Sequence, residues 1–259
     1  MARIHLITFG GGGRRYRAAA RRVVRQSRGF PEIVTATAFG PEDLDAGYHA
    51  LFPDFATRYP RGFGLWSWKP YLIHRAFQNL TDGEILFYAD AGCELNPAAT
   101  ERFNDYIDWI DQHGALLFQM GLKNRTYTKS DPRLIPNDAF LDRGQYAATI
   151  IFLRKTPEMT AFLDEWLALC AENDGELLKD VDPATQREGF VDHRHDQSVL
   201  NAVAYKYDLP ALPDETDIAG PFGLKLRSYA REVIKFPVHS MRNRGGIASM
   251  PLIKFVSRL

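Results

Sequence analysis

The 259-residue chain is 45% hydrophobic and 25% charged, with a formal net charge of zero. That balance is the one a soluble globular protein carries, and it argues against nucleic-acid binding. Two cysteines, Cys93 and Cys170, exclude a disulfide framework and a cysteine-based zinc cluster.

Length favours a single large α/β domain over two small ones. No apolar run approaches a transmembrane helix, and Ile4 to Phe9 is too short for a signal-peptide core, so the sequence reads as cytoplasmic. Charge is unevenly spread. Residues 1–28 hold eight arginines and no acid, and residues 225–259 hold eight basic residues and one acid, Glu232. If the two ends meet, they make a basic face for phosphates, a nucleic acid or an anionic membrane. Arg21, Arg22 and Arg25 read instead as a solvated helix face.

Arg3 to Phe9 predicts the first strand, Gly10 to Gly13 a loop, and Arg14 to Arg28 a basic helix. Strand, glycine loop and helix open many nucleotide-binding α/β folds. The glycines match neither the dinucleotide pattern nor a Walker loop. They either let a nucleotide approach, with Arg14, Arg15 or Arg17 near its phosphates, or form a plain connection. Ile33 to Phe39 predicts the second strand, and 43–59 a short helix with loop.

Gly62 to Pro70 packs two glycines, two tryptophans and Lys69 ahead of a helix over 71–79. Pro70 suits a first helical turn. A lysine at a helix N-terminus opposes the macrodipole, so Lys69 is better explained facing a carboxylate or phosphate. Trp66 reads as core. Trp68 reads either as core or as a platform for a sugar or base.

Ile85 to Tyr88 predicts a buried strand that runs into Asp90-Ala91-Gly92-Cys93-Glu94. Ligands of open α/β sheets sit beyond the carboxyl ends of strands, where Asp90 falls. Taken alone, Asp90 is a turn residue or a metal ligand. Residues 97–113 predict a helix and 115–120 a strand. Residues 123–143 predict a long loop able to cover a site. Ala147 to Leu153 predicts a central strand, and Pro157 to Glu172 a helix capped by Thr156. An acidic loop follows, and then a helix from near Asp196 to Tyr207. Asp196 is a cap or part of a dense polar turn with His193, His195 and Gln197.

Three segments together carry a family resemblance: Gly62 to Pro70, Tyr88 to Cys93, and His193-Arg194-His195-Asp196-Gln197-Ser198. In their order and spacing the chain resembles a nucleotide-sugar glycosyltransferase of the GT-A fold, similar to bacterial capsule and O-antigen polysaccharide transferases. The resemblance implies a mostly parallel central sheet flanked by helices, in a three-layer sandwich. It implies one domain, with a nucleotide-sugar half near 1–120 and an acceptor half near 121–259. A nucleotide-sugar donor and a glycan or lipid-linked acceptor follow as partners. The basic C-terminal segment meets the donor phosphates or, peripherally, an anionic inner membrane face carrying a lipid-linked acceptor, and overall neutrality argues against nucleic acid.

The resemblance places Asp196 as the general base, with His195 orienting the acceptor or acting as base instead; in a retaining enzyme Asp196 or Gln197 would lie under the sugar ring as a stabiliser. It places Thr8, Gly10, Gly11, Arg61 and Trp68 at the donor, together with Lys69, Tyr88, Asp90 and Arg242. The family's Asp-x-Asp motif binds Mn²⁺ or Mg²⁺. Here Gly92 replaces the second Asp, which leaves Asp90, His239 and at most Glu94 as ligands. Lys69, Arg242 and Arg244 are candidates to stabilise the leaving diphosphate. Two rival readings are a glycoside hydrolase using Asp90 and Asp196, and a non-catalytic scaffold of the same fold.

Overall fold

The structure is a computed structural model that describes residues 2–217 and 235–240. Arg242 and Arg244 lie outside the described residues. One sheet of seven strands organises the fold: β1 (Ile4–Phe9), β2 (Ile33–Phe39), β3 (Ile85–Ala89), β5 (Ala115–Lys123), β6 (Gly144–Tyr146), β7 (Ile150–Arg154) and β8 (Ala211–Pro213). A short antiparallel pair, β4 (Glu94–Leu95) with β9 (Val238–His239), lies apart from it.

The order is β2-β1-β3-β7-β5-β6, with β8 also on β5. β1 pairs in parallel with β2 and β3, and β5 with β8; β7 and β6 run against their neighbours. The sheet is therefore mixed, with five strands sharing one direction. Helices cover both faces: α1 (Arg14–Ser27) and α6 (Thr100–His113) on one, α5 (Trp68–Gln78), α9 (Pro157–Gly175) and α10 (His195–Lys206) on the other. Shorter helical turns are α2 (Ala46–Leu51), α3 (Phe55–Arg58), α4 (Gly62–Leu65), α7 (Asn124–Tyr127) and α8 (Asp138–Asp142).

Strand periodicity produces the three layers. Leu86 and Tyr88 join the core under α5, α9 and α10, while Ile85, Phe87 and Ala89 join the core under α1 and α6. Both faces of β3 are buried, which is why its sequence is an unbroken apolar run.

Four boundaries differ from expectation. α6 begins at Thr100, because the Asn96 side chain accepts from the Ala98 N–H and holds 96–99 as a turn. The predicted 123–143 loop is partly ordered as α7 and α8. Ala147 to Thr149 are a turn rather than strand, and β7 starts at Ile150. β8 was not visible in the sequence, being three residues long and ending on Pro213.

Candidate active site

Three connections meet at one edge of the sheet. β1 and β3 are parallel neighbours, so the Gly10–Gly13 loop and the Asp90 turn emerge side by side. β7 is antiparallel to β3, which brings the turn before it to the same edge; the Asp90 N–H donates to the Thr149 carbonyl at 2.9 Å. The first turns of α5 and α10 reach the same place and deliver Lys69 and Asp196.

Lys69 is 3% exposed. Its Nζ lies 3.2 Å from Asp90 Oδ1, 3.2 Å from Asp196 Oδ2 and 3.0 Å from the Ala148 carbonyl oxygen. The ammonium thus makes one hydrogen bond, to the carbonyl, and an ion pair with each carboxylate. Burial alone would lower its pKa, but the Asp196 and Asp90 charges outweigh that and hold Lys69 above its ordinary value. This explains a lysine in the first turn of a helix, against the dipole.

Asp196 is not a helix cap. The N-cap position of α10 is Arg194, and the Asp196 carboxylate is turned inward to Lys69. Burial pushes its pKa up to about 6, Lys69 opposes, and Asp90 adds to the rise. Asp90 is the open member of the cluster, with 32% of its side chain exposed. The Tyr88 hydroxyl donates to Asp90 Oδ1; burial first, and then Asp90, raise that hydroxyl well above its ordinary value and keep it a donor.

The neighbours of Asp196 have other duties. His195 turns toward Asp180 (Nε2 to Oδ1, 3.6 Å), with Nδ1 on the Leu178 carbonyl, and its pKa is lowered by burial. Gln197 accepts from the Ala148 N–H at 3.3 Å and donates to Gln145 at 2.7 Å, so it fixes the turn whose carbonyl holds Lys69. His193 is buried, hydrogen-bonded to Leu177 O and the Lys129 N–H, with its pKa pushed down to about 3 by burial.

The other predicted donor residues are placed as follows. Thr8 is buried in β1, and its hydroxyl has no partner among the described residues. Gly10 and Gly11 are close-packed: a Cβ on Gly10 would sit 2.9 Å from the Arg17 backbone, and one on Gly11 2.3 Å from the Phe9 ring. Arg61 is exposed and pairs with Asp192 (3.2 Å) and Asp180 (3.4 Å). Of the two readings open for Trp68, the structure shows the core one, and Trp66 packs on the edge of the core. Trp68 is buried, stacked on Phe9 at 4.0 Å, with its Nε1 donating to Gly62 O, so its ring serves the core. Trp66 is half-buried and stacks on His195 at 5.3 Å.

Trp66 ends a rare backbone run. Gly62, Phe63, Gly64, Leu65 and Trp66 all have positive φ, between 50° and 88°, so α4 is a left-handed turn. Three of the five are not glycine, and such strain gathers at functional sites. The turn ends at Ser67 and sets the entry of α5, and hence the position of Lys69. A Cβ on Gly62 would lie 2.4 Å from the Trp66 ring at φ 62°. Gly62→Ala is expected to lower stability by about 2–3 kcal/mol; a urea midpoint unchanged from wild type would contradict the strained turn.

Sequence reading missed Arg22. It is buried, not solvated, and its Nη2 donates to the carbonyls of Ala91 (3.1 Å) and Cys93 (3.0 Å). It thereby ties α1 to the Asp90 turn. Burial lowers its pKa and the Glu94 charge opposes.

A divalent cation fits this donor set poorly. Asp90 already faces Lys69 and Tyr88, and Gly92 offers no side-chain donor. Glu94 is fully buried on β4, within the field of Arg22, in register with His239 on β9. Among the described residues no group of three or more His, Cys, Asp or Glu is arranged to hold a metal.

No protein-family model matches the sequence, and no curated protein is similar to it. Among solved structures, the chain is similar to a glycosyltransferase involved in the glycosylation of the major capsid of PBCV-1, at 11% identity, over 99% of this chain and 100% of that one, with a TM-score of 0.45. It is similar to mouse xyloside xylosyltransferase 1 at 9% identity over 95% and 100%, TM-score 0.49. It is also similar to 4-diphosphocytidyl-2C-methyl-D-erythritol synthase from Anaerococcus prevotii, at 15% identity over 79% and 98%, TM-score 0.34. At these TM-scores the likeness carries no functional weight.

Proposed function

We propose that the protein is a GT-A-like glycosyltransferase, moving a sugar from a nucleoside-diphosphate donor to a hydroxyl of a glycan or lipid-linked acceptor in polysaccharide synthesis. The observation that carries this reading is the buried Lys69 between Asp90 and Asp196, beside the glycine loop at the carboxyl edge of β1 and β3. Open α/β sheets bind nucleotides at such an edge.

The chemistry assigned to the site is as follows. The acceptor oxygen bonds to the anomeric carbon, the bond from that carbon to the diphosphate oxygen breaks, and the acceptor proton passes to the Asp196 carboxylate. A base whose pKa is about 6 is ionised at neutral pH yet still takes a proton. Asp90, the exposed carboxylate, accepts from donor hydroxyls. Lys69 is a positioning residue: its ammonium, hydrogen-bonded to the Ala148 carbonyl and ion-paired with both carboxylates, fixes them and keeps Asp196 ionised. The backbone amides of the glycine loop, at the start of α1, suit the diphosphate. The poor fit of the donor set to Mn²⁺ or Mg²⁺ leaves the metal out of this scheme.

The test is a panel of UDP-, GDP- and other nucleotide sugars with mass detection of product, run in excess chelator and again with Mn²⁺. Transfer or donor hydrolysis is expected in chelator, within about threefold of the rate with Mn²⁺, because no described donor set is complete for the ion. A rate that collapses in chelator and returns with Mn²⁺ would overturn the metal-free scheme. Glycan cleavage with no nucleotide present would make the protein a glycosidase. Absence of any nucleotide-sugar binding by calorimetry would end the proposal.

A further inference from the structure

Helix α1 carries a feature that the reaction does not use. Arg14, Arg15, Arg17, Arg21, Arg25 and Arg28 are all exposed, and none makes an ion pair among the described residues. The helix holds no acid in its first turn, and residues 1–28 hold none at all. At about 100° per residue, Arg14, Arg17, Arg21, Arg25 and Arg28 fall within an arc of about 80°. The buried residues Ala19, Ala20, Val23 and Ser27 lie on the opposite side, packed on the sheet. The result is a straight ridge of five guanidinium groups, about 20 Å long.

The undescribed residues cannot neutralise this ridge. They contain one acid, Glu232, against seven lysines and arginines. Since the whole chain is neutral, the remainder is net acidic. Basic charge is thus concentrated along α1, while α6, on the same face of the sheet, carries the exposed acids Glu101, Asp105, Asp108 and Asp111.

We propose that the exposed face of α1 docks on an anionic phospholipid surface, with its arginines on the headgroup phosphates. The shape favours this partner over nucleic acid. The arginines stand on a convex helix, not in a groove, and Tyr16, the one aromatic residue of α1, is half-buried and falls about 140° from the centre of the ridge, so no aromatic platform interleaves with the charge. Guanidinium forks fit phosphate oxygens two at a time. No helix among the described residues is long and apolar enough to cross a membrane, so the contact assigned to α1 is peripheral. The inference rests on α1 alone and stands or falls apart from the sugar-transfer reading.

The experiment is sedimentation of the full chain with vesicles of phosphatidylcholine alone, or containing about 30 mol% phosphatidylglycerol. Binding is expected only to the anionic vesicles, at about 0.05 M salt, and is lost near 0.5 M, where the screening length falls to a few ångströms. Each arginine near such a surface strengthens binding about fivefold, so Arg17→Gln/Arg21→Gln/Arg25→Gln together are expected to weaken it about 100-fold. These side chains are exposed, and an unchanged circular dichroism melt verifies the fold of the variant. Equal binding to neutral vesicles, no binding to anionic ones, or a triple variant that binds like wild type would each overturn the proposal. So would tighter retention on duplex DNA than on anionic vesicles at the same salt, which would reassign the ridge to nucleic acid.

Discussion

Lys69→Met is expected to cut transfer at pH 7 by at least about 30-fold and to move the acidic limb of the pH–rate profile upward by about two pH units. Methionine keeps the length of the side chain and removes its charge. In the wild type Lys69 pulls the Asp196 pKa down against burial and against Asp90. Without it burial and Asp90 raise the pKa against the Gln197 backbone N–H, so Asp196 holds its proton at neutral pH and cannot act as a base. Activity should recover in part toward pH 9. A merely structural lysine would lower activity without moving the limb, and that result would remove Lys69 from the scheme.

The same substitution reports on stability. Removing one partner of a buried ionic cluster typically costs about 3–5 kcal/mol, since the remaining charge is left without compensation. Here the penalty depends on pH. A carboxyl whose folded pKa is raised contributes stability that is complete below its unfolded value and is lost as pH rises through the folded one. Lys69→Met should therefore be nearly wild-type in urea unfolding at pH 5 and markedly weaker at pH 8.

Much of the scaffold was legible in the sequence. Ile4–Phe9, Ile33–Phe39 and Ile85–Ala89 are short apolar runs flanked by polar, glycine or proline residues, and all three are strands. Thr156 and Pro157 marked the start of α9, and the Thr156 side chain does accept from the Met159 N–H. Ala147 to Thr149 misled, because small and β-branched residues suit a strand. They form a turn whose carbonyl holds Lys69 and whose N–H is held by Gln197, a tertiary demand with no local signal.

The site was half legible. Lys69, Asp90 and Asp196 each stood out by chemistry, but the cation joining the two carboxylates is a product of topology, since α5, β3 and α10 lie far apart in the chain. Arg22 was hidden because five other arginines of α1 are solvated. The sequence reading put it on the same solvated face as Arg21 and Arg25, and the structure turns it inward to the carbonyls of Ala91 and Cys93. The left-handed entry to α5 was hidden for a similar reason. Phe63, Leu65 and Trp66 lie in a left-handed turn, a conformation that no pattern of side chains announces.

Asp196→Asn is expected to give the complementary result. Losing a general base lowers turnover by about 10²–10⁴-fold. The limb near pH 6 should vanish, because asparagine does not titrate there, and the donor KM should change little, because Asp90 and the glycine loop are intact. Stability should not fall at neutral pH. The wild type keeps a carboxylate ionised at 4% exposure, with a pKa near 6 against an ordinary 3.8. By linkage the folded state binds the proton more tightly than the unfolded chain, so wild-type stability declines between about pH 4 and pH 7, by up to about 3 kcal/mol. Asparagine removes that decline and still offers an oxygen to Lys69. A variant that is inactive, at least as stable as wild type at pH 7 and normal in donor affinity separates a catalytic carboxylate from a structural one. A variant that transfers at the wild-type rate would leave the protein a binding scaffold or move the base to another residue. Lys69→Met, destabilised and shifted toward alkaline pH, and Asp196→Asn, stable and without the limb, are opposite outcomes at two atoms 3.2 Å apart. Only a cation that positions a working base produces both.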